Sequence, residues 1–404
     1  MMCDVVRPMT KWLWLFALAA ACGDNEIAPM VQTTPPPFAE SAHGPAPQLI
    51  NVGGSVLAQP RTQPIFFTGD ATMQAQIESF DALLTDSLYW QQTTAEYGVG
   101  TIIALPTIVV TDPPPTSTAA IEAMLAAKLD GTHTAEGWQA APGDQTIYSV
   151  FLPQGVVVHD PDGDSCASYG AFHDEAMGAH GESIIFALMP RCNYGNPLID
   201  DLTASYSHEL IEAATDPLVE TDPAYGDSDP DNYVMAYTPG PEVGDYCEYL
   251  DGAYVRLFGG FEVQRTWSNA ASLAGDDPCV PSTGAYIAAV PMFTGQLMMD
   301  DYYGGTVMTR GVSVPVHTSA EVDLQLISNR PTADFTVEAF DVATYFGGSP
   351  EVTLALDKAT GKNGDILKLN ITRTSTGQLP GSEIVIQAKS GNDVVSQWWG
   401  YVAN

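Results

Sequence analysis

The chain has 404 residues, with 14 Lys or Arg against 49 Asp or Glu, for a formal net charge of −35. The imbalance comes from scarce bases more than from blocks of acids, so it reads as solubility and self-repulsion, and it excludes nucleic acid and anionic lipid surfaces as natural partners. Without a leader, about 380 residues remain, ample for two domains.

Arg7 and Lys11 precede an apolar run from Trp12 to Ala21, too short to cross a bilayer and of signal-peptide size. The run ends Leu18-Ala19-Ala20-Ala21-Cys22, which resembles a bacterial lipoprotein signal, although Ala19 stands where such signals favour Leu. Residues 1–21 are therefore expected to be a lipoprotein-type signal peptide and Cys22 the lipidated residue, with ordinary cleavage and release as the alternative. Residues 22–48, with Pro35-Pro36-Pro37, read as a flexible tether. No later stretch is long and apolar enough to span a membrane. The expectation is a monomer outside the cytoplasm, secreted or held at the outer membrane or cell surface only by an N-terminal lipid.

With Cys3 in the leader and Cys22 lipidated, Cys166, Cys192, Cys247 and Cys279 remain. An even remainder in an exported chain suggests two disulfides. Three pairings are open, of which the neighbours Cys166 with Cys192 and Cys247 with Cys279 are the most economical. No two of the four stand close enough in sequence for a zinc cluster.

Residues 49–281 read as a first domain. Ile65 to Gly69 is a buried strand and a turn; Met73 to Leu88 has helical spacing, as does Ile121 to Lys128. Thr146 to Leu152, Gly155 to Val158 and Ser183 to Leu188 have strand patterns. A helix over Ser205–Pro217 follows, with Thr203, Ser205 or Ser207 as its cap and Pro217 as its end. Strands before a central helix give an α+β pattern, which is also the layout of zincin proteases.

Within that helix, Ser207-His208-Glu209-Leu210-Ile211-Glu212 places His208 and Glu212 four residues apart on one face, with Glu209 about 100° round. This is the geometry of the zinc-protease helix H-E-x-x-H, with Glu212 in place of the second His; a carboxylate can bind zinc. H-E-x-x-E alone also fits an acidic solvated face or a His–Glu pair with no metal.

Several stretches come in a telling order: Tyr89-Trp90 with Tyr97-Gly98-Val99-Gly100, Cys166 to His173 (CASYGAFH), Phe186 to Cys192 (FALMPRC), Ser207 to Leu210, and Gly244-Asp245-Tyr246-Cys247. Together they resemble the EXORDIUM (phosphate-induced protein) family of secreted plant proteins and its bacterial relatives, over residues from about 50 to 281. The resemblance implies an extracellular protein with the disulfides placed as above. It speaks to compartment and fold kinship rather than to chemistry, and the plant members' link to growth and the cell wall need not extend to a lipid-anchored bacterial chain.

Zinc catalysis needs three protein ligands and an open position for water. His208 and Glu212 supply two, Glu209 is the candidate catalytic base, and the third ligand is first Asp245, then His173, then Asp216. Asp160, Asp162 and Asp164, in Asp-Pro-Asp-Gly-Asp, resemble part of a calcium loop; Asp222, Asp227, Asp229 and Asp231 form a second acidic loop. A plain solvated turn explains either loop equally. His180 reads as a surface residue, no serine-nucleophile elbow surrounds Ser207, and no phosphate loop or dinucleotide fingerprint is present.

After Pro281 the pattern changes. Residues 284–404 carry period-two runs at Gly311–Val316, Asp334–Ala339, Val352–Leu356, Ile366–Ile371 and Glu383–Ala388, with Gly, Asn, Asp and Ser between them. They read as an all-β immunoglobulin-like sandwich like those of exported bacterial proteins. Trp398, Trp399 and Tyr401 are candidates to stack on sugars, although alternation makes at least one tryptophan core. Two functions follow: a cell-surface zinc hydrolase of peptidase type acting on peptide, or a non-catalytic surface protein that binds cell-wall or matrix polysaccharide.

Overall fold

The computed structural model describes residues 37–44, 46–85, 87–161, 163–226, 241–257, 259–300, 306–374 and 381–403. The leader, Cys22, Asp162, Asp227, Asp229 and Asp231 lie outside the described residues.

The apolar run before Thr68 forms β1 (Arg61–Phe67). The helical pattern after it divides into α1 (Ala71–Leu84) and α2 (Leu88–Thr94), because the Ser87 hydroxyl accepts from the Trp90 amide and starts a new helix. Next come β2 (Ile103–Ala104), β3 (Ile108–Val110), α3 (Thr118–Lys128) and β4 (Thr146–Phe151). The stretch from Gly155 to Val158, expected as a strand, is a turn in which the Val156 amide donates to Pro153. β5 (Phe172–Met177), β6 (Ser183–Met189) and α4 (Leu198–Thr215) complete the frame of the site.

β1 pairs in parallel with β2, β3 and β4, and β4 in parallel with β6; only β5, at the edge, runs antiparallel. Alternation sends Phe66, Ile147, Phe151 and Ile185 to the face covered by α1 and α4. Ile65, Phe67, Val150 and Phe186 go to the other face, which α3 covers with Ile121 and Leu125.

The second half contains a four-stranded sheet, ordered Ile287–Pro291, Ser319–Ser328, Ile366–Arg373 and Val352–Leu356. A six-stranded sheet runs Gly295–Asp300, Thr306–Ser313, Asp393–Ala403, Gly381–Ser390, Phe335–Asp341 and Thr360–Gly361.

This architecture corrects the expected α+β domain followed by an all-β immunoglobulin-like domain. The first half has a mostly parallel sheet with helices on both faces, not helices segregated from strands. The chain is strand-rich and, among the described residues, also carries four separate two-stranded ribbons. The second half includes a parallel pair, Gly311–Ser313 with Tyr401–Ala403, and a helical turn, Val342–Tyr345. Nor do the halves stand apart. One hydrophobic cluster runs from Leu49 and Phe66 through Trp267 and Ile287 to Trp398, and residues from Phe38 onward form one compact unit. Polar contacts cross the same boundary: Val394 N donates to Asp251, Gln397 to the Tyr249 carbonyl, and Asn329 to Asp276. Residues 38–44 and 46–48 belong to this unit, with Ser41 N bonded to Asn363 and Gln48 Nε2 to Ser272.

Trp398, Trp399 and Tyr401 are all buried, at 1, 1 and 4 % exposure. They offer no sugar platform, since this strand is covered on both faces.

Candidate metal centre

α4 is buried along nearly its whole length. It begins seven residues before the expected Ser205, behind Pro197, whose carbonyl accepts from the amides of Asp200 and Asp201. Thr203, Ser205 and Ser207 are therefore interior, and their hydroxyls bond back to the carbonyls of Ile199, Asp201 and Ala204. Ser207 Oγ also accepts from the amide of Gln264, on β7 (Glu262–Gln264), at 3.0 Å.

Two disulfides hold the elements that meet this helix. Cys166–Cys192 ties the approach to β5 to the β6–α4 connection, and Cys247–Cys279 anchors the helical turn Asp245–Glu248. Trp267 lies in register with Cys279 in the adjoining ribbon. The disulfides mark an oxidising, extracytoplasmic setting. No helix of the described residues is long and apolar enough to cross a membrane.

His208 Nε2 lies 2.9 Å from Glu212 Oε2 and 3.7 Å from Asp245 Oδ1. On the other side of Glu212, His173 from β5 places Nδ1 3.9 Å from Glu212 Oε2 and 3.5 Å from Glu209 Oε2. Its Nε2 is 3.6 Å from Glu242 Oε1 and donates to the Asp216 carbonyl at 3.1 Å. Asp245 and His173, two of the three third-ligand candidates, thus both come to Glu212. The third, Asp216, does not: its carboxylate accepts from the Ala224 amide and fixes the turn after α4.

The centre gathers five carboxyl groups (Glu209, Glu212, Glu242, Asp245 and Glu248) around two imidazoles. Three arginines of this half pair elsewhere: Arg191 with Asp70, Arg256 with Asp200 and Arg265 with Asp277. Burial opposes charge on His173, but Glu242, Glu209 and Glu212 outweigh it and push the imidazole up to about 10. His208 is likewise raised well above the histidine range, against its burial, by Glu212, Glu209 and Asp245. Burial pushes Asp245 up to about 8, with the charge of Glu212 adding to it, and it raises Glu242 and Glu248 too. Glu212 goes the other way: burial would raise it, but His208, His173 and the Gly244 amide hold it low.

Residues around the cluster fix its donors. A Cβ on Gly244 would stand 2.7 Å from both Glu212 Oε1 and His208 Nδ1, so any larger residue there must displace one of them. Gln264 Nε2 holds the Gly244 carbonyl at 2.9 Å, and the Gly244 amide donates to Glu212 Oε1. Glu242 Oε1 is buried with no hydrogen-bond partner among the described residues. Imidazole nitrogens with carboxylate oxygens are a zinc-class donor set, so the residues present fit such an ion. Two sets can hold one: His208 with Glu212 and Asp245, and His173 with Glu212 and Glu242.

A cleft of about 480 Å³ opens onto His208, Glu209, Asp245 and Glu248, walled by Tyr169, Tyr194, Tyr249 and Tyr254. Among the described residues, Asp160 and Asp164 of the first acidic loop are not part of such a group. Asp160 accepts from the Thr118 amide and hydroxyl and from the Tyr169 hydroxyl, and Asp164 accepts from His159. These carboxylates cap α3 and close a hairpin. Asp222 accepts from the Ser55 amide, and His180 is exposed in the β5–β6 loop.

Glu242 and Glu248 escaped the sequence reading. Their signal was the spacing Glu242, Asp245, Glu248 around Cys247, three acids one helical turn apart. No protein-family model matches this sequence, and no curated protein does.

Proposed function

We propose that the protein is a metal-dependent hydrolase of peptidase type that works outside the cytoplasm. The observation carrying this reading is the grouping of His208, Glu212 and Asp245 beside a cleft that Glu209, the next residue of the same helix, also lines. A zinc-class ion held by these three supplies Lewis acidity, polarising a carbonyl and acidifying a water. Glu209 is the proton carrier: its carboxylate takes a proton from the attacking water and delivers it to the leaving nitrogen. The tyrosine walls bind an extended chain, and Glu248, Glu262 and Asp201 on the lining favour basic or neutral side chains over acidic ones. Cys22 serves as the lipid anchor in this reading, so Cys22→Ser should move the protein from the membrane fraction into the medium.

The test is elemental analysis and peptide hydrolysis on the exported full chain beside Glu209→Ala and His208→Ala. Bound zinc in the wild type and Glu209→Ala, with activity lost in both variants and metal reduced in His208→Ala, supports the hydrolase. Absence of any transition metal, with His208→Ala only lowering stability, overturns it. The 2.9 Å His208–Glu212 contact is then a structural ion pair in a non-catalytic surface protein.

A further inference from the structure

We propose that the centre holds two divalent cations, the second bound by His173, Glu212 and Glu242, with Glu212 shared between the two. The inference extends the hydrolase reading by giving its ion a neighbour, but the second site has ligands of its own.

Four observations carry it. First, the ligand atoms of each set lie within 4.8 Å of one another, and the two imidazoles fall into separate sets. Ligands of a single tetrahedral ion stand only about 3.3 Å apart, given metal–donor distances of about 2 Å. One ion therefore does not gather both histidines, whereas two ions place one on each. Second, Glu212 is oriented as a bridge. Its Oε1 is held by the Gly244 amide at 2.9 Å, and its Oε2 faces His208 Nε2 on one side and His173 Nδ1 on the other.

Third, His173 is set up as a ligand. Its side chain is only 3 % exposed, and because a carbonyl can only accept, its Nε2 carries the proton donated to Asp216. That leaves Nδ1, which faces Glu209 and Glu212, as the nitrogen whose proton an ion can displace, with Nε2 held by a carbonyl in the outer-shell arrangement that fixes metal-binding histidines. Glu242, whose Oε1 has no hydrogen bond among the described residues and lies 3.6 Å from His173 Nε2, completes the set. Fourth, Glu209, Glu212, Glu242, Asp245 and Glu248 bring more carboxyl groups to this buried volume than one ion takes as ligands. Paired ions sharing a ligand are an established arrangement for hydrolysis, in which each ion stabilises one of the two oxygens that change charge.

The experiment is metal stoichiometry on the exported full chain, demetallated and titrated with zinc, for wild type, Glu242→Gln, His173→Gln and His208→Ala. Far-ultraviolet circular dichroism checks that each remains folded. Two equivalents in the wild type, falling to one in Glu242→Gln and in His173→Gln, is the expected result. Manganese-loaded protein should give the electron paramagnetic resonance of a coupled pair, replaced by that of an isolated ion in Glu242→Gln. One equivalent in the wild type that survives Glu242→Gln and disappears in His208→Ala overturns the second site and leaves the hydrolase reading intact. One equivalent lost in Glu242→Gln yet kept in His208→Ala overturns both the paired centre and the assignment of the hydrolase ion to His208. No bound metal in any form overturns both inferences together.

Discussion

Gly244 is the residue on which the geometry of the centre turns. Its amide holds Glu212, its carbonyl is held by Gln264, and its missing side chain is what lets His208 and Glu212 come so close to the backbone. Gly244→Ala should leave the fold intact and weaken zinc binding about 10- to 100-fold, as losses of outer-shell support do. A competition titration against a zinc chelator reads this directly; unchanged affinity would mean that Glu212 and His208 can step aside freely. Asp81 makes a different kind of prediction. Its carboxyl is only 2 % exposed, and burial pushes it up to about 8 against the pull of the neighbouring Tyr206 hydroxyl. The folded chain thus keeps a proton that the unfolded chain loses near pH 4. Stability from this group is complete below that pH and declines as the pH rises towards 8, by on the order of 5 kcal/mol in total. Asp81→Asn should match the wild type near pH 4 and exceed it at pH 8 in urea unfolding; parallel pH profiles would show that Asp81 does not ionise in this range. Of the centre itself, the pair His208 and Glu212 was legible because four-residue spacing on a helix is a local property. His173 and Asp245 could be ranked as candidates, but that both reach the same carboxylate depends on how β5 and the Cys247 turn pack against α4. Glu242 and Glu248 were passed over because acids three residues apart occur as readily on a solvated face as in a site.

At the level of elements, α4 shows why the end of a helix is read more easily than its start. Asp216 and Pro217 mark the end by chemistry that cannot continue a helix, and the last helical residue is Thr215. Three hydroxyl residues before His208 offered caps, yet each can also bond to a carbonyl one turn back, and tertiary burial decided for the longer helix. The same burial hid the character of the final strand: with both faces covered, Trp398 and Trp399 are both core. One of those interior hydroxyls joins two elements. Ser207 Oγ is the acceptor for the buried Gln264 amide, and Gln264 in turn holds the Gly244 carbonyl. Ser207→Ala strands that amide without a partner and should cost about 1–3 kcal/mol. The midpoint of urea unfolding should fall at constant slope, with a parallel loss of zinc affinity. A fall in stability with zinc affinity unchanged would show that Gln264 is not what positions Gly244.

Over the whole molecule, the change of pattern near Pro281 was legible, and the continuity across it was not. Strand alternation reports which residues are apolar on one face, but not which other segment covers that face. Here Tyr286, Ile287 and Trp398 join the cluster that includes Trp267, Cys247 and Tyr246, the residues behind the Asp245 turn. Side chains of Gln397 and Asp251 and the carbonyl of Tyr249 lock the same boundary with hydrogen bonds. A shared core and satisfied polar contacts couple the unfolding of the two halves, because neither can open without exposing apolar surface of the other. Calorimetry of the full chain should therefore show a single transition, with the calorimetric enthalpy equal to the van't Hoff value. Val394→Pro would remove the amide held by Asp251 and disrupt the second half locally, yet it should lower the transition temperature of the entire chain and weaken zinc binding in the first half. Two resolved transitions, with the variant shifting only one and zinc binding unaffected, would show that the metal centre is supported by its own half alone.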